Sequence, residues 1–585
     1  MTTSKNLVGS PDHRAAGSKR ACTIALLAAL LCAACSSVPL PPWRGTQVVD
    51  AQPVPVPVPG APEVQDGVLA PPYGAAVAAR FPAPAVVYNT PGLAADRVAY
   101  TSNAEIQAWL RMVATPGTAA PGVNVTLLSI GASQGNLPLE ALVLTRAAAT
   151  DPRSLRTDER PTVLLIGQQH GDEPASAEAL LVVARELAQG LLAPLLAKIN
   201  VIVMPRANPD GAAAGKRVTA NGIDMNRDHL LLKTPEANAL ARLVREYRPM
   251  VVIDAHEYTV AGRYLEKFNA VQKYDALLQY ATTANMPEFF TKAAEEWFRE
   301  PMAAALEREK LTSEWYYTTS NDPADLKISM GGAEPNVGRN VNGLKNTVSM
   351  LIETRGVGIG RLHLQRRVHT QVTAISSALK SAGERAERLR KVREFVERDV
   401  ASLACTRNAV LEAALTPERK GLVMLDPVTG ADRTIDVAWQ SALKLKAVKS
   451  RIRPCGYWVS EGAGEAIARL RLLGVEVYKI AGGGPLTAET YRELGSSSGS
   501  RNDVRGVIIG EAPIRRTEVE LARQTLDAPA GSFYVPVNQP LGNLAIAALE
   551  PDSQNSYYAN HLVPDLASVV RVMATPALPF EDAPN

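Results

Sequence analysis

The sequence predicts an α/β domain followed by a smaller β-rich domain, and three observations carry that expectation. Short apolar runs uncut by polar alternation recur at 163–167 (VLLIG), 200–204 (NVIVM), 250–253 (MVVI) and 347–352 (TVSMLI). Segments with helical apolar spacing lie between them, at 174–192 and 235–246. Strands of that kind, with helices between, belong to a sheet covered on both faces. After about residue 403 the texture changes to short apolar runs broken by Gly, Pro and Ser, which reads as a separate domain with substantial strand.

Composition narrows the function classes. The 585 residues carry 62 Lys+Arg against 59 Asp+Glu, a net charge of +3. That balance supplies no whole-chain field for nucleic acid, and none is expected as a partner. With 46% hydrophobic and 21% charged residues the chain is not globally disordered. Five cysteines in this length exclude a disulfide-built scaffold.

Taken in chain order, residues 1–35 read as an export signal. His13, Arg14, Lys19 and Arg20 precede the apolar run 21–34, whose 14 residues span about 21 Å as a helix, short of a bilayer core of about 30 Å. The run ends in Ala33-Ala34-Cys35-Ser36-Ser37, which resembles a bacterial lipobox with Cys35 as the lipidated residue, although Cys32 stands where Leu is usual. Residues 36–80 are rich in proline, including the Pro/Val alternation at 53–59, and read as an extended polyproline II tether. An exported body held to a membrane by a lipid anchor is the expectation.

The body, 81–402, begins with a hairpin at 123–129 and 137–145 around the turn 131–136, then enters the strand–helix alternation and ends after a helix over about 368–402. Asn208-Pro209-Asp210-Gly211 reads as a turn. In the smaller domain, 403–585, strands are expected at 421–425, 474–480, 504–509 and 531–537. Asp552, Ser553, Tyr557, Tyr558 and His561 read as a surface loop. Cys405 and Cys455 could pair in an oxidising compartment, which spacing alone does not decide.

Chemistry-bearing residues collect at strand ends, where open α/β sheets bind ligands. His170 and Glu173 follow the strand ending at Gly167, and His256 closes the run 251–255. Two His and one Glu can hold one zinc ion with a coordination position left open. Glu353 ends another strand, where an unpaired buried carboxylate is expensive without a functional reason. Between them lie Arg217, suited to a developing oxyanion, and Asn226-Arg227, suited to a carboxylate. His229 reads as structural.

HGDE at 170–173, NPDG at 208–211, KR at 216–217, GIDMNRD at 222–228, DAHEY at 254–258 and IETRG at 352–356 together resemble the zinc carboxypeptidase family, in the family's order. The resemblance implies a mixed sheet flanked by helices, one zinc per chain, and His170, Glu173 and His256 as ligands. It implies Glu353 as general base and acid, Arg217 as the residue polarising the scissile carbonyl, and Asn226 and Arg227 as the pair gripping the substrate's terminal carboxylate. Tyr258 matches a subsite tyrosine. Asp172 departs from the arginine of the best-known members, and no tyrosine stands at 326–345 for the family's mobile tyrosine. The expected activity is removal of C-terminal amino acids from peptides outside the cytoplasm. A cell-wall stem-peptide amidase or small-molecule deacylase on the same fold, or a non-catalytic binding module, are the alternatives. The presence of Glu353 and all three ligands speaks against the last.

Overall fold

The computed structural model describes residues 72–508 and 510–581. They lie in one compact unit, Thr46–Asn585. The expected export signal, Cys35 included, lies outside the described residues, as does most of the expected tether.

Eight strands form the central sheet: β1 (Asn124–Ala132), β2 (Pro138–Thr145), β3 (Thr162–Gly167), β4 (Asn200–Met204), β5 (Val251–Thr259), β6 (Ala276–Tyr280), β7 (Ser313–Trp315) and β8 (Val348–Val357). Their order is β1-β2-β4-β3-β5-β8-β6-β7. β4, β3, β5 and β8 run parallel, while β1–β2, β2–β4 and β8–β6 are antiparallel, so the sheet is mixed. The apolar runs sit in its middle. Val163, Leu164, Leu165 and Ile166 are buried on both faces, each side chain contributing about 1.5–3 kcal/mol of burial. On one face α2 (Pro235–Tyr247) packs Leu240, Leu243 and Val244 into the cluster of Leu164, Ile166, Ile202, Met204 and Val252. On the other, α1 (Pro174–Gln189) packs against β3 and α3 (Leu364–Glu384) against β8, and the two helices touch each other.

The later part of the chain is β-rich. A long hairpin, Asn408–Leu425 with Asp432–Ile452, joins a five-stranded sheet with segments 317–319 and 327–330. A six-stranded sheet contains a second long hairpin, Gly484–Gly499 with Ile514–Ala528. One hydrophobic cluster crosses the sequence position expected as a boundary. It joins Leu230, Leu231, Leu232 and Val341 to Tyr457, Ile467, Leu470, Val535 and Leu544.

Several local expectations need correcting. The packed body begins before 81: Ala75–Ala78 is helical, Tyr73 and Val77 are buried, and Gly74 N–H donates to the Pro427 carbonyl at 3.0 Å. Asn208 starts a short helix, Pro209–Ala214, because its side chain caps the Gly211 N–H. Residues 464–473 form an unexpected helix closed by Gly474 in the left-handed region, leaving only 478–479 as strand. The segment 552–561 is not a surface loop: Tyr557 is fully buried, and Asp552 pairs with Arg451 and Lys449. Cys405 and Cys455 form a disulfide.

Candidate active site

The loop after β3, the later halves of β5 and β8 and one close backbone approach build the site. His170 lies in the loop after β3, and Glu173 is the residue that starts α1. Gly171 lets this loop touch the next one, since a Cβ there would fall 1.9 Å from the Gly211 carbonyl carbon. His256 on β5 is directly opposite Glu353 on β8 in the parallel register, so both face one side of the sheet.

The two histidines and Glu173 meet in a buried cluster whose potential ligand atoms lie within 4.8 Å of one another. His170 Nδ1 is 2.7 Å from Glu173 Oε1, His256 Nδ1 is 2.8 Å from Glu173 Oε2, and the two Nδ1 atoms are 3.1 Å apart. The opposite nitrogens meet carboxylates, His170 Nε2 at 3.1 Å from Asp224 and His256 Nε2 at 3.0 Å from Asp254. A carboxylate on Nε2 fixes the tautomer and leaves Nδ1 free to ligate. The donor set therefore fits a zinc ion, with two nitrogens and one carboxylate converging and their outer partners in place. Burial opposes ionisation of Glu173, but His170 and His256 outweigh it and hold the carboxyl below the usual range. Asp224 is likewise held well below that range against the effect of burial, by Arg217, His170 and Arg227.

Glu353 differs. Among the described residues its carboxylate takes part in no hydrogen bond or ion pair, and burial first, then the charge of Glu173, push it up to about 7. Arg217 bridges the cluster: Nε donates to Asp224 Oδ2 at 3.0 Å, and Nη1 is 3.1 Å from His170 Nδ1. Asn226 is buried, with Nδ2 at 3.2 Å from His256 Nε2 and Oδ1 accepting from Gly338 N–H. Arg227 lines the same cavity as His170, Arg217 and Glu353. Its guanidinium binds Asp503, Nη2 at 2.6 Å and Nε at 2.9 Å. Tyr258 is not brought to the cavity. Its hydroxyl donates to the Tyr274 carbonyl within an apolar cluster. His229 is buried on Gln169 at 2.7 Å, and Gln169 holds Asp254. Asp172 has one buried carboxylate oxygen without a hydrogen-bond partner among the described residues.

Comparison with known proteins agrees with this geometry. Residues 118–321 match the family model described as zinc carboxypeptidase. Carboxypeptidase 2 of Trichophyton equinum is 29% identical over 410 residues, covering 69% of this chain and 74% of that protein. Over these residues the chain is similar to the zinc carboxypeptidase family. Another relative is carboxypeptidase SOL1 of Arabidopsis thaliana, 31% identical over 137 residues, 21% of this chain and 27% of that protein. Among solved structures, a metallo-carboxypeptidase from Burkholderia cenocepacia aligns at 16% identity and a TM-score of 0.35, covering 48% of this chain and 68% of its own.

Family motifs made the ligand cluster legible, but not everything around it. Asp224 and Asp254 stand inside the quoted motifs, and their spacing two residues before Asn226 and His256 was the available signal. Tyr316, Asp503 and Arg505 also line the cavity. They lie outside every motif, and nothing in the sequence marks them.

Proposed function

We propose that this protein is an exported metallocarboxypeptidase that removes amino acids one at a time from the C-termini of peptides. The observation that carries the reading is the His170–Glu173–His256 cluster with the unpartnered carboxylate of Glu353 across the strand register. His170, Glu173 and His256 hold the metal in this proposal. Zinc held there supplies Lewis acidity and makes water a nucleophile near neutral pH. Glu353 takes a proton from the attacking water and returns it to the leaving amine, so the peptide C–N bond breaks with protons balanced. Arg217, beside the cluster, faces the carbonyl oxygen and stabilises the charge that develops on it. Asn226 shapes the pocket, and Arg227 offers its planar fork to the substrate's terminal carboxylate.

The proposal places 81–402 as the catalytic part and 403–585 as an accessory part that reaches into the site. Export, with Cys35 as the lipid-anchored residue, rests on the signal-like residues 1–35. The Cys405–Cys455 disulfide supports it, because such bonds persist in oxidising compartments. The test compares kcat/KM for one peptide as free acid and as C-terminal amide. Preference for the acid with release of single residues is expected. Equal rates would remove carboxylate recognition and favour an amidase or deacylase.

A further inference from the structure

The connection between the two strands of the second long hairpin does not stay with its own sheet. Residues 500–508 reach back to the catalytic cluster, and within them Asn502–Asp503 pairs with Gly506–Val507 as a small hairpin. Its tip, Asp503, Val504 and Arg505, lines the cavity shared by His170, Glu353 and Arg227. The base is fixed: Arg501 pairs with Glu511, and its Nη2 donates to the Arg227 carbonyl at 3.1 Å. Asn502 and Gln554 exchange two hydrogen bonds of 3.0 Å.

The tip is held through Asp503 and Arg505. Arg505 Nη2 reaches the Tyr316 hydroxyl at 3.2 Å, and Asn321 N–H donates to the Arg505 carbonyl. The strongest contact is the pair of charge-assisted bonds from Arg227 to Asp503, whose side chain is only 8% exposed. With Nη1 donating to the Asn226 carbonyl, every nitrogen of the Arg227 guanidinium is engaged by protein. The cavity beside it measures about 20 Å³, room for about one water. A substrate's last residue therefore needs the tip to move.

We infer that Asp503 is an internal competitor of the substrate: it occupies Arg227 as a terminal carboxylate would, and it sets how tightly such carboxylates bind. The inference rests on the reading of Arg227 as the residue that receives the substrate carboxylate. It adds a determinant from outside the residues matched by the family model. A buried carboxylate on a buried guanidinium is weak evidence for a stabilising role, because desolvation offsets much of the Coulomb gain. A carboxylate exchanged for another carboxylate conserves the pairing of Arg227. Asp503 leaves with the turn that carries Arg505, and its exposed neighbours Gly506 and Val507 offer a path toward solvent.

The test is Asp503→Asn, which keeps the side-chain oxygen that accepts from the Arg505 N–H and removes the charge. KM for a free-acid peptide is expected to fall about tenfold, the change that would follow if roughly a tenth of the molecules had Arg227 free and the variant freed the rest. KM for the peptide amide should stay put. An unchanged or raised KM for the acid, or equal changes for acid and amide, overturns the inference. Should the variant not fold, the parent decides. Trypsin cleavage after Arg505 is followed with acetyl-leucine or acetyl-leucinamide present. Faster cleavage with the acid alone is expected, and no difference between the two overturns the idea. A parent enzyme without preference for acid over amide would sink the carboxypeptidase reading itself, which separates the two failures.

Discussion

Glu353→Gln separates proton transfer from metal binding. The substitution is nearly isosteric, and it touches none of the three residues that would hold zinc. Glu353 is 6% exposed and has no hydrogen-bond partner among the described residues, so no network collapses when the charge goes. Loss of a general acid–base should cost about 10²–10⁴ in kcat, roughly 2.7–5.5 kcal/mol of barrier, with the zinc content unchanged. A second effect has the opposite sign and appears in the metal-free protein. Burial and then Glu173 raise the folded-state value from 4.5 to about 7. Below 4.5 the carboxyl is protonated in both states and contributes nothing. As pH rises through 4.5 toward about 7 the unfolded chain ionises first, and the folded state loses stability relative to it. Chelated Glu353→Gln should therefore melt above the chelated parent at pH 8, and the difference should close at pH 4. Peptide hydrolysis within about threefold of the parent, far short of the cost of a lost acid–base, would refute the assignment. A melting gain independent of pH would refute the electrostatic part.

Other substitutions read other parts of the molecule. Arg217→Ala should lower kcat by about 10²–10³, the usual loss for one oxyanion donor; steady-state kinetics showing a change confined to KM would move Arg217 to substrate binding. Replacing Cys405 and Cys455 by Ser opens a link between residues 50 apart. On chain entropy this costs about 4 kcal/mol, seen as a lower urea midpoint, and an unchanged midpoint would deny the bond a stabilising role. Cys35→Ala should shift the protein from the membrane pellet to the soluble fraction, because acyl chains supply the attachment; continued sedimentation would end the lipobox reading.

The site was legible where the ends of apolar runs and motifs coincide. The His170–Glu173 pair, His256 and Glu353 are far apart in sequence, yet each follows or ends an apolar run, and the parallel register brings these runs together; Arg217 was marked by its motif alone. The fold of 123–402 was legible for the same reason, since a sheet covered on both faces writes long apolar runs into the chain. The later region writes no such signal. Its long hairpins leave many residues exposed, such as Arg492–Ser498, and polar strands resemble loops in sequence. Asp552 looked like a surface residue because its partners Arg451 and Lys449 lie about a hundred residues away. Asp503 was invisible for a stronger reason. It meets Arg227 across 276 residues, through a hairpin tip with no motif. Tyr258 failed because alternation along β5 predicts its face of the sheet but not that its hydroxyl is taken by Tyr274.

Metal analysis tests the central claim most directly. The purified parent should carry about one zinc per chain, and His170→Ala and His256→Ala should each lose it, since two remaining ligands hold zinc poorly. Peptide hydrolysis should vanish with the metal and return when zinc is restored to the parent. Full zinc content in both histidine variants would place the metal elsewhere and contradict the assignment of this cluster as the catalytic centre.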